Sequence, residues 1–481
     1  MAARGILISR EMMEIIVADI SFFTCSGIWA IGTSGCVATL YHLSNNTSFD
    51  RLEDSYKQKE DGDFMKDVVI VSACRTAIGT FGGSLKDLNG AHIGAVAMKG
   101  AIERADIDPA IIDDVRFGCC LEPVDALNVS RVSALLAGIP ETVPAVTINR
   151  VCISGMEAAI SGMAMIQTGM ADIILAGGVE HMSGVPYVSQ HARWGCRLQD
   201  SPFDDAMIHG LHCGSHIMPL STDGPLKEGA LFDMYKGKPY IMGHTAEFIA
   251  ELYKVTREEM DEVALRSHNG VERATNEGDF KDEIVPIEIP QKRGKPPVIF
   301  DKDEHFRPGM TIDKLAALPP AFVPKIGKVT AGNASGLNDG AAAMILMSAD
   351  KAAELGLTPI AKISATGRGA CHPSVMGLSP VPAVRDLLKK NPEYKLEDFE
   401  LIELNEAFAA QYLGCEKELG LNREVVNVNG SGIGLGHPVG CTGARIMVSL
   451  IYAMKHRGKQ LGMATLCGGG GVSCATVIEM M

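Results

Sequence analysis

Three side chains in this sequence stand where chemistry is possible, each at the end of a strand or the start of a helix. Cys152 lies in Asn149-Arg150-Val151-Cys152-Ile153-Ser154-Gly155-Met156, where the strand-like run Ala145 to Asn149 gives way to a helical pattern with Met156, Ile160, Met163 and Ala164 on one face. Unpaired N–H groups and the helix dipole favour an anion at such a start, so the placement predicts a thiol that ionises readily and can act as a nucleophile. The competing reading is a small core hydrophobe, the usual state of a free cysteine. His437 is carried by Gly430-Ser431-Gly432-Ile433-Gly434-Leu435-Gly436-His437-Pro438, too rich in glycine for regular structure and without the GxGxxG spacing of a dinucleotide site. A lone histidine is more often structural, but at the head of a second helix it becomes a base for the thiol. Cys467 ends the strand Met463 to Leu466 and precedes Gly468-Gly469-Gly470-Gly471, where bare N–H groups can stabilise negative charge. Asn405, after the run Leu401 to Leu404, offers an amide to a water or an oxyanion, and Glu406 beside it is read equally as a group that holds its loop.

The elements that must position these groups repeat. Ile148-Asn149, Cys152, Ser154-Gly155, an Ala-rich helix, Gly169-Met170-Ala171, an apolar strand and Gly177-Gly178 are matched in order by Val428-Asn429, a glycine stretch, Cys441-Thr442-Gly443, a helix, Gly462-Met463-Ala464, an apolar strand and Gly468-Gly469. Two related α/β halves with facing turns follow. Elsewhere β-branched runs alternate with helical ones, the pattern of sheets covered by helices: a strand at Val68 to Ser72, a helix at Gly90 to Arg104, a strand at Val115 to Gly118, a helix at Asn128 to Leu136. The stretch 183–328 is rich in Pro, Gly and charge, with one long helical piece over Thr245 to Asn276, and reads as an inserted loop domain. The expected division is 65–182 with 329–350 as the first half and 351–481 as the second.

Composition narrows the function classes. With 481 residues, 46% hydrophobic, the chain is globular, and a net charge of -14 without a basic run speaks against nucleic-acid binding. Thirteen cysteines, odd in number and irregularly spaced, suit a reducing, cytoplasmic setting rather than a disulfide scaffold. P-loop, CxxC and HExxH signatures are absent. Residues 1–64 read as an N-terminal extension with Met65 as a plausible start; membrane association would require residues 15–41 to be a real anchor, and a cleaved signal is disfavoured by acidic flanks. His209, His212, Cys213 and His216 would share one face of a helix and could hold a metal, although Gly210 and Gly214 weaken that helix.

From about Lys66 to Met481 the chain resembles the thiolase family, in four segments in the family's order: Cys152-Ile153-Ser154-Gly155, Asn405-Glu406-Ala407-Phe408, Gly436-His437-Pro438 and Cys467-Gly468-Gly469-Gly470. The resemblance implies a thiolase-like layered α/β fold and acyl transfer on coenzyme A, a substrate rather than a resident cofactor. It further implies that Cys152 takes the acyl group, His437 activates it and Cys467 moves the proton at the substrate α-carbon. Asn405 through a water, with His437, would serve one oxyanion hole, and the backbone of Cys152 and Gly469 the other. Thr330-Ala331-Gly332-Asn333-Ala334-Ser335-Gly336 resembles the family's segment for the pantetheine arm, with Ala331, Gly332 and above all Ser335 as contacts. Phe322 and Phe408 would line the tunnel, Met242 the acyl pocket, and Arg307 would meet the nucleotide end. Ile241 stands where some short-chain thiolases have histidine. The leading expectation is an acetyl-CoA acetyltransferase, a homodimer or homotetramer without a bound metal. A 3-ketoacyl-CoA thiolase for longer chains and a non-catalytic acyl-binding protein on the same fold remain alternatives.

Overall fold

The computed structural model describes residues 65–481; the readings of 1–64, including the start at Met65 and the anchor at 15–41, concern residues that lie outside those described. Strands β1 (Val68–Thr76), β2 (Asp114–Gly118), β3 (Ala145–Ile148), β4 (Ile173–His181), β5 (Asn338–Ser348), β6 (Ala361–Ala370), β7 (Leu401–Leu404), β8 (Leu461–Gly468) and β9 (Val472–Met480) run in the order β7-β8-β9-β6-β1-β5-β4-β2-β3.

This order is one pattern used twice. In the first half β3, β2 and β4 are parallel, and β5 and β1 follow antiparallel. In the second, β7 and β8 are parallel, β9 and β6 follow antiparallel, and Val426 bridges in parallel to Ile402 at the place corresponding to β3. The halves join where β1 meets β6, at Val69–Lys362 and Ile70–Ala361.

Helices α1 (Gly90–Ala105) and α2 (Val129–Leu136) cover the outer face of the first half; α3 (Ser154–Gln167) and α8 (Val439–Arg457) lie inside; α4 (Met242–Leu252), α6 (Pro380–Lys390) and α7 (Ala409–Leu419) pack on the outer face of the second. On β5, Met344 and Leu346 point to the inner helices while Ala343, Ile345 and Met347 point to α1, the period of two of a strand buried on both faces. Such a strand reads as an unbroken apolar run, which Ala341 to Met347 is.

The repeated Gly in Ser154-Gly155 and Thr442-Gly443 has a spatial cause. A Cβ at Gly155 would sit 2.8 Å from the Ala444 nitrogen, and one at Gly443 would sit 2.4 Å from the Met156 nitrogen. α3 and α8 therefore cross backbone to backbone through reciprocal glycines, bringing their N-terminal turns to one place.

One expectation is corrected. Thr245 to Asn276 is not one helix: α4 ends at Leu252 and α5 spans Arg257–Glu277. Thr256 starts α5 with a capping box, its hydroxyl accepting from Glu259 N while the Glu259 carboxylate accepts from Thr256 N at 2.7 Å. The Thr-x-x-Glu signature was present, and helical periodicity on both sides concealed it.

Candidate active site

Cys152, His437 and Cys467 line one cavity, with about 630 Å³ of space including its open mouth. Three separate loops supply them: the turn before α3, the turn before α8 and the end of β8.

At the first loop the chain is strained. Val151 has φ +51°, a conformation poorly suited to a β-branched residue, and the Asn149 carbonyl oxygen of the side chain accepts from its N–H at 3.0 Å. Ser154 Oγ accepts from Arg150 N and donates to Val151 O, closing the turn. Cys152 thus precedes the helix by two residues, as read from the sequence, but its ionisation is corrected. Burial, and next the neighbouring Cys213, push its thiol up from 9.0 to about 12, against the Gly469 N–H, which stabilises the thiolate. A helix terminus contributes about 0.3–1 kcal/mol, under one pKa unit, so burial wins. At rest this thiol is protonated and needs a base.

The base is set up by a hydrogen-bond chain. Thr442 Oγ1 donates to Pro438 O at 2.9 Å, which leaves it only as an acceptor for His437 Nδ1 at 2.7 Å. Nδ1 therefore carries the hydrogen and Nε2 is the free lone pair. Burial, then the Arg445 charge, hold the imidazole down to about 3, so it is neutral at rest, and it is the free Nε2 lone pair that can receive a proton from a thiol brought to it. The loop is tied to both halves: Asn338 Oδ1 accepts from His437 N at 2.9 Å, and the Glu180 carboxylate at the end of β4 accepts from Gly440 N at 2.8 Å and from Cys120 N and Leu121 N. A buried carboxylate with three N–H donors clamps the His437 turn to the half that carries Cys152.

Cys467 is 1% exposed, its thiol pushed well above the ordinary range by burial and then by Cys152. Asn405 does not line the cavity; it is buried behind His437, with Nδ2 3.4 Å from Nδ1. Gly469 also stays off the wall, its N–H directed at the Cys152 thiol, and a Cβ there would fall 2.2 Å from Cys213 Sγ. Glu406 holds its loop, accepting from Ser267 Oγ and from Asn427 Nδ2 at 2.8 Å.

Of the residues expected to meet coenzyme A, Ser335, Phe322, Phe408 and Met242 line the cavity, and Ser335 N donates to Ala407 O at 2.9 Å to fix that wall. The phenyl rings of Phe322 and Phe408 meet edge to face at 6.2 Å. Ala331, Gly332 and Arg307 do not line it: Gly332 packs on Leu315 and Leu318, and Arg307 is exposed. Leu211, Ile241 and Met376 add to the apolar wall, with Met182, Leu337 and Val439.

The helix expected over His209 to His216 stops at Gly210 and continues as turns, with Cys213 at φ +44°. The His212 and His216 rings meet tilted by 42° with centroids 4.1 Å apart, and among the described residues no group of three or more His, Cys, Asp or Glu is placed to hold a metal.

Thr442, Glu180 and Arg445 were not singled out as functional from the sequence, and Cys213 was singled out only as a possible metal ligand. Thr442 was within reach, since it lies in the Cys441-Thr442-Gly443 segment of the repeat; the others have only contacts that are distant in sequence.

An acyl-transfer fold of two repeated halves, with a thiol, a neutral imidazole and a second thiol at their junction, defines the class. This chain belongs to the thiolase family: its residues 68–350 match the thiolase N-terminal domain and 357–480 the thiolase C-terminal domain. It is 46% identical over 420 residues to the acetyl-CoA acetyltransferase of Syntrophomonas wolfei, covering 86% of this chain and 100% of that one. The crystal structure of the Bacillus anthracis acetyl-CoA acetyltransferase superposes with a TM-score of 0.80 at 47% identity, covering 87% of this chain and 100% of that one. Human mitochondrial 3-ketoacyl-CoA thiolase gives 0.79 at 37% identity over the same shares. Among the described residues no helix is long and apolar enough to cross a membrane.

Proposed function

We propose that this thiolase is an acetyl-CoA C-acetyltransferase, cleaving acetoacetyl-CoA with coenzyme A into two acetyl-CoA and catalysing the reverse condensation through an acyl-cysteine. The observation that carries this reading is the meeting of Cys152, His437 and Cys467 on one cavity, with Nε2 of His437 free. The acetyl-CoA acetyltransferases of Syntrophomonas wolfei and Bacillus anthracis support the choice of substrate.

In cleavage, Cys152 Sγ attacks the 3-keto carbonyl while its proton passes to His437 Nε2. The N–H groups of Cys152 and Gly469 hold the oxyanion. The C2–C3 bond then breaks, leaving acetyl-Cys152 and the enolate of acetyl-CoA. The new Nε2–H, with Asn405 acting through a water, holds the enolate oxygen, and Cys467 Sγ–H protonates its carbon. Coenzyme A next gives its thiol proton to the Cys467 thiolate and attacks the thioester; Cys152 leaves and recovers its proton from His437. Two neutral thiols and a neutral imidazole begin and end the cycle. Burial suits this sequence, because thiols and imidazole are neutral at rest and charge appears only in balanced pairs while substrate occupies the site.

Ser335, Phe322 and Phe408 would hold the pantetheine arm and Met242 the acyl group, with Ala331 and Gly332 as outer contacts of that arm and Arg307 of the nucleotide end. The apolar wall of Leu211, Ile241, Met242 and Met376 favours a second reading, a 3-ketoacyl-CoA thiolase for longer chains. A cytoplasmic homodimer or homotetramer is the proposed setting.

The test compares coenzyme A-dependent cleavage of acetoacetyl-CoA with that of longer and branched 3-ketoacyl-CoA esters, together with the mass of the acylated protein. Acetoacetyl-CoA should be the best substrate and a peptide containing Cys152 should gain an acetyl group. Cys152→Ser should lose acylation; Cys467→Ala should keep acylation and lose condensation. Folded protein that cleaves none of the esters refutes the proposal.

A further inference from the structure

Two arginines are among the largest side chains buried completely, and they are served very differently. Arg75 donates to Asp303 at 2.7 and 2.9 Å, to Glu283 at 2.6 Å and to Thr76 O at 3.1 Å, a saturated structural ion pair. Arg445, on α8 two turns below His437, has no such cage. Its Nη1 lies 3.9 Å from Glu403 Oε2, beyond hydrogen-bond range, and its Nε and Nη1, like Glu403 Oε2, find no hydrogen-bond partner among the described residues. A buried guanidinium left so incomplete costs stability, which a purely structural role does not repay.

What Arg445 does reach is the amide of Asn405, where Nη2 donates to Oδ1 at 3.4 Å. The opposite end of that amide, Nδ2, faces the His437 ring at 3.4 Å. The two ends of an asparagine amide are nearly isosteric, so which one faces the ring depends on what the other end touches. A guanidinium has donors only, and it admits the oxygen and rejects the NH₂ group. Gly432 makes room for this arrangement: a Cβ there would fall 2.7 Å from Asn405 Oδ1.

We propose that Arg445 is a positioning residue of the thiolase reaction, holding the Asn405 amide with Oδ1 turned inward and Nδ2 turned to the His437 side, so that a donor is kept for the water through which Asn405 serves the enolate oxygen. The inference rests on the reaction proposed above. The same cation polarises the amide and makes Nδ2 a better donor, and Glu403, pushed up by burial to about 8, does not cancel its charge near neutral pH.

The test is a double-mutant cycle on acetoacetyl-CoA cleavage with Arg445→Met, Asn405→Ala and the double variant, each checked for a cooperative melt. Arg445→Met should lower kcat about 10- to 100-fold, less than the roughly 100- to 1,000-fold that outright loss of an oxyanion donor costs, with KM within about twofold. In the Asn405→Ala background the same change should lower kcat by less than about threefold, because its target is gone. Arg445→Lys should recover part of the loss. If Arg445→Met does not fold, Arg445→Lys, which keeps the buried charge but not the planar fork, is carried through the cycle in its place. An unchanged kcat, a change confined to KM, or the same factor lost in both backgrounds overturns the proposal. Absence of cleavage by the wild-type protein would instead overturn the reaction itself, so the two failures are distinct.

Discussion

His437 Nδ1 donates to Thr442 Oγ1 at 2.7 Å, and because Thr442 spends its only hydrogen on Pro438 O, the tautomer of the histidine is decided by a threonine five residues along. Thr442→Val should leave Nδ1–H without an acceptor and release the ring to the wrong tautomer. We expect kcat/KM to fall about 10- to 100-fold in steady-state cleavage, up to the low end of general acid–base contributions, and Thr442→Ser to retain most of it. Equal activities for the Val and Ser variants would show that this bond does not set the tautomer.

The Cys152 thiol is held at about 12 chiefly by burial, so the thiolate is scarce at neutral pH and grows as pH rises. The rate of alkylation of Cys152 by iodoacetamide, followed by peptide mass spectrometry, should therefore rise about tenfold per pH unit from 7 to 9 without levelling. A plateau below pH 8 would mean that thiolate and imidazolium already coexist at rest.

Gly469 lacks space for a side chain as well as being a donor to the thiol. Its Cβ would lie 2.2 Å from Cys213 Sγ and 3.0 Å from Val151 Cγ1. Gly469→Ala should cost about 1–3 kcal/mol by overpacking, measured in urea. Cys213→Ala in the same protein should return a large part, since it removes the nearer atom; no recovery would place the strain at Val151.

Glu403 links stability to pH. Its folded pKa is raised from 4.5 to about 8, so the native state holds a proton that the unfolded chain has released. The contribution is full below about 4.5 and is lost as pH rises through about 8, at up to about 1.4 kcal/mol per pH unit. Urea midpoints of wild type and Glu403→Gln should therefore diverge between pH 5 and 8, in favour of the Gln variant at the higher pH. Parallel curves would show that Glu403 is ionised throughout.

Much of this molecule is written in neighbouring residues. The alternation of apolar strands and helices, the twofold repeat, the thiol before α3, the histidine before α8 and the glycines between those helices all follow from local periodicity and steric demand, and so they could be read in order along the chain. The long helix expected over 245–276 failed within the same local rules, because a capping signal at Thr256 was outweighed by periodicity. Protonation and orientation are different. A thiol expected to ionise easily is instead held neutral, because desolvation by the whole fold exceeds one helix terminus. Glu180 grips a turn 260 residues away, Cys213 comes to lie against Gly469, and Arg445 meets Asn405 across two elements of the second half. Sequence determined which reactive groups exist and on which turns they stand; burial and long-range hydrogen bonds, which depend on the packed chain, decided which of them carry protons and which way they face.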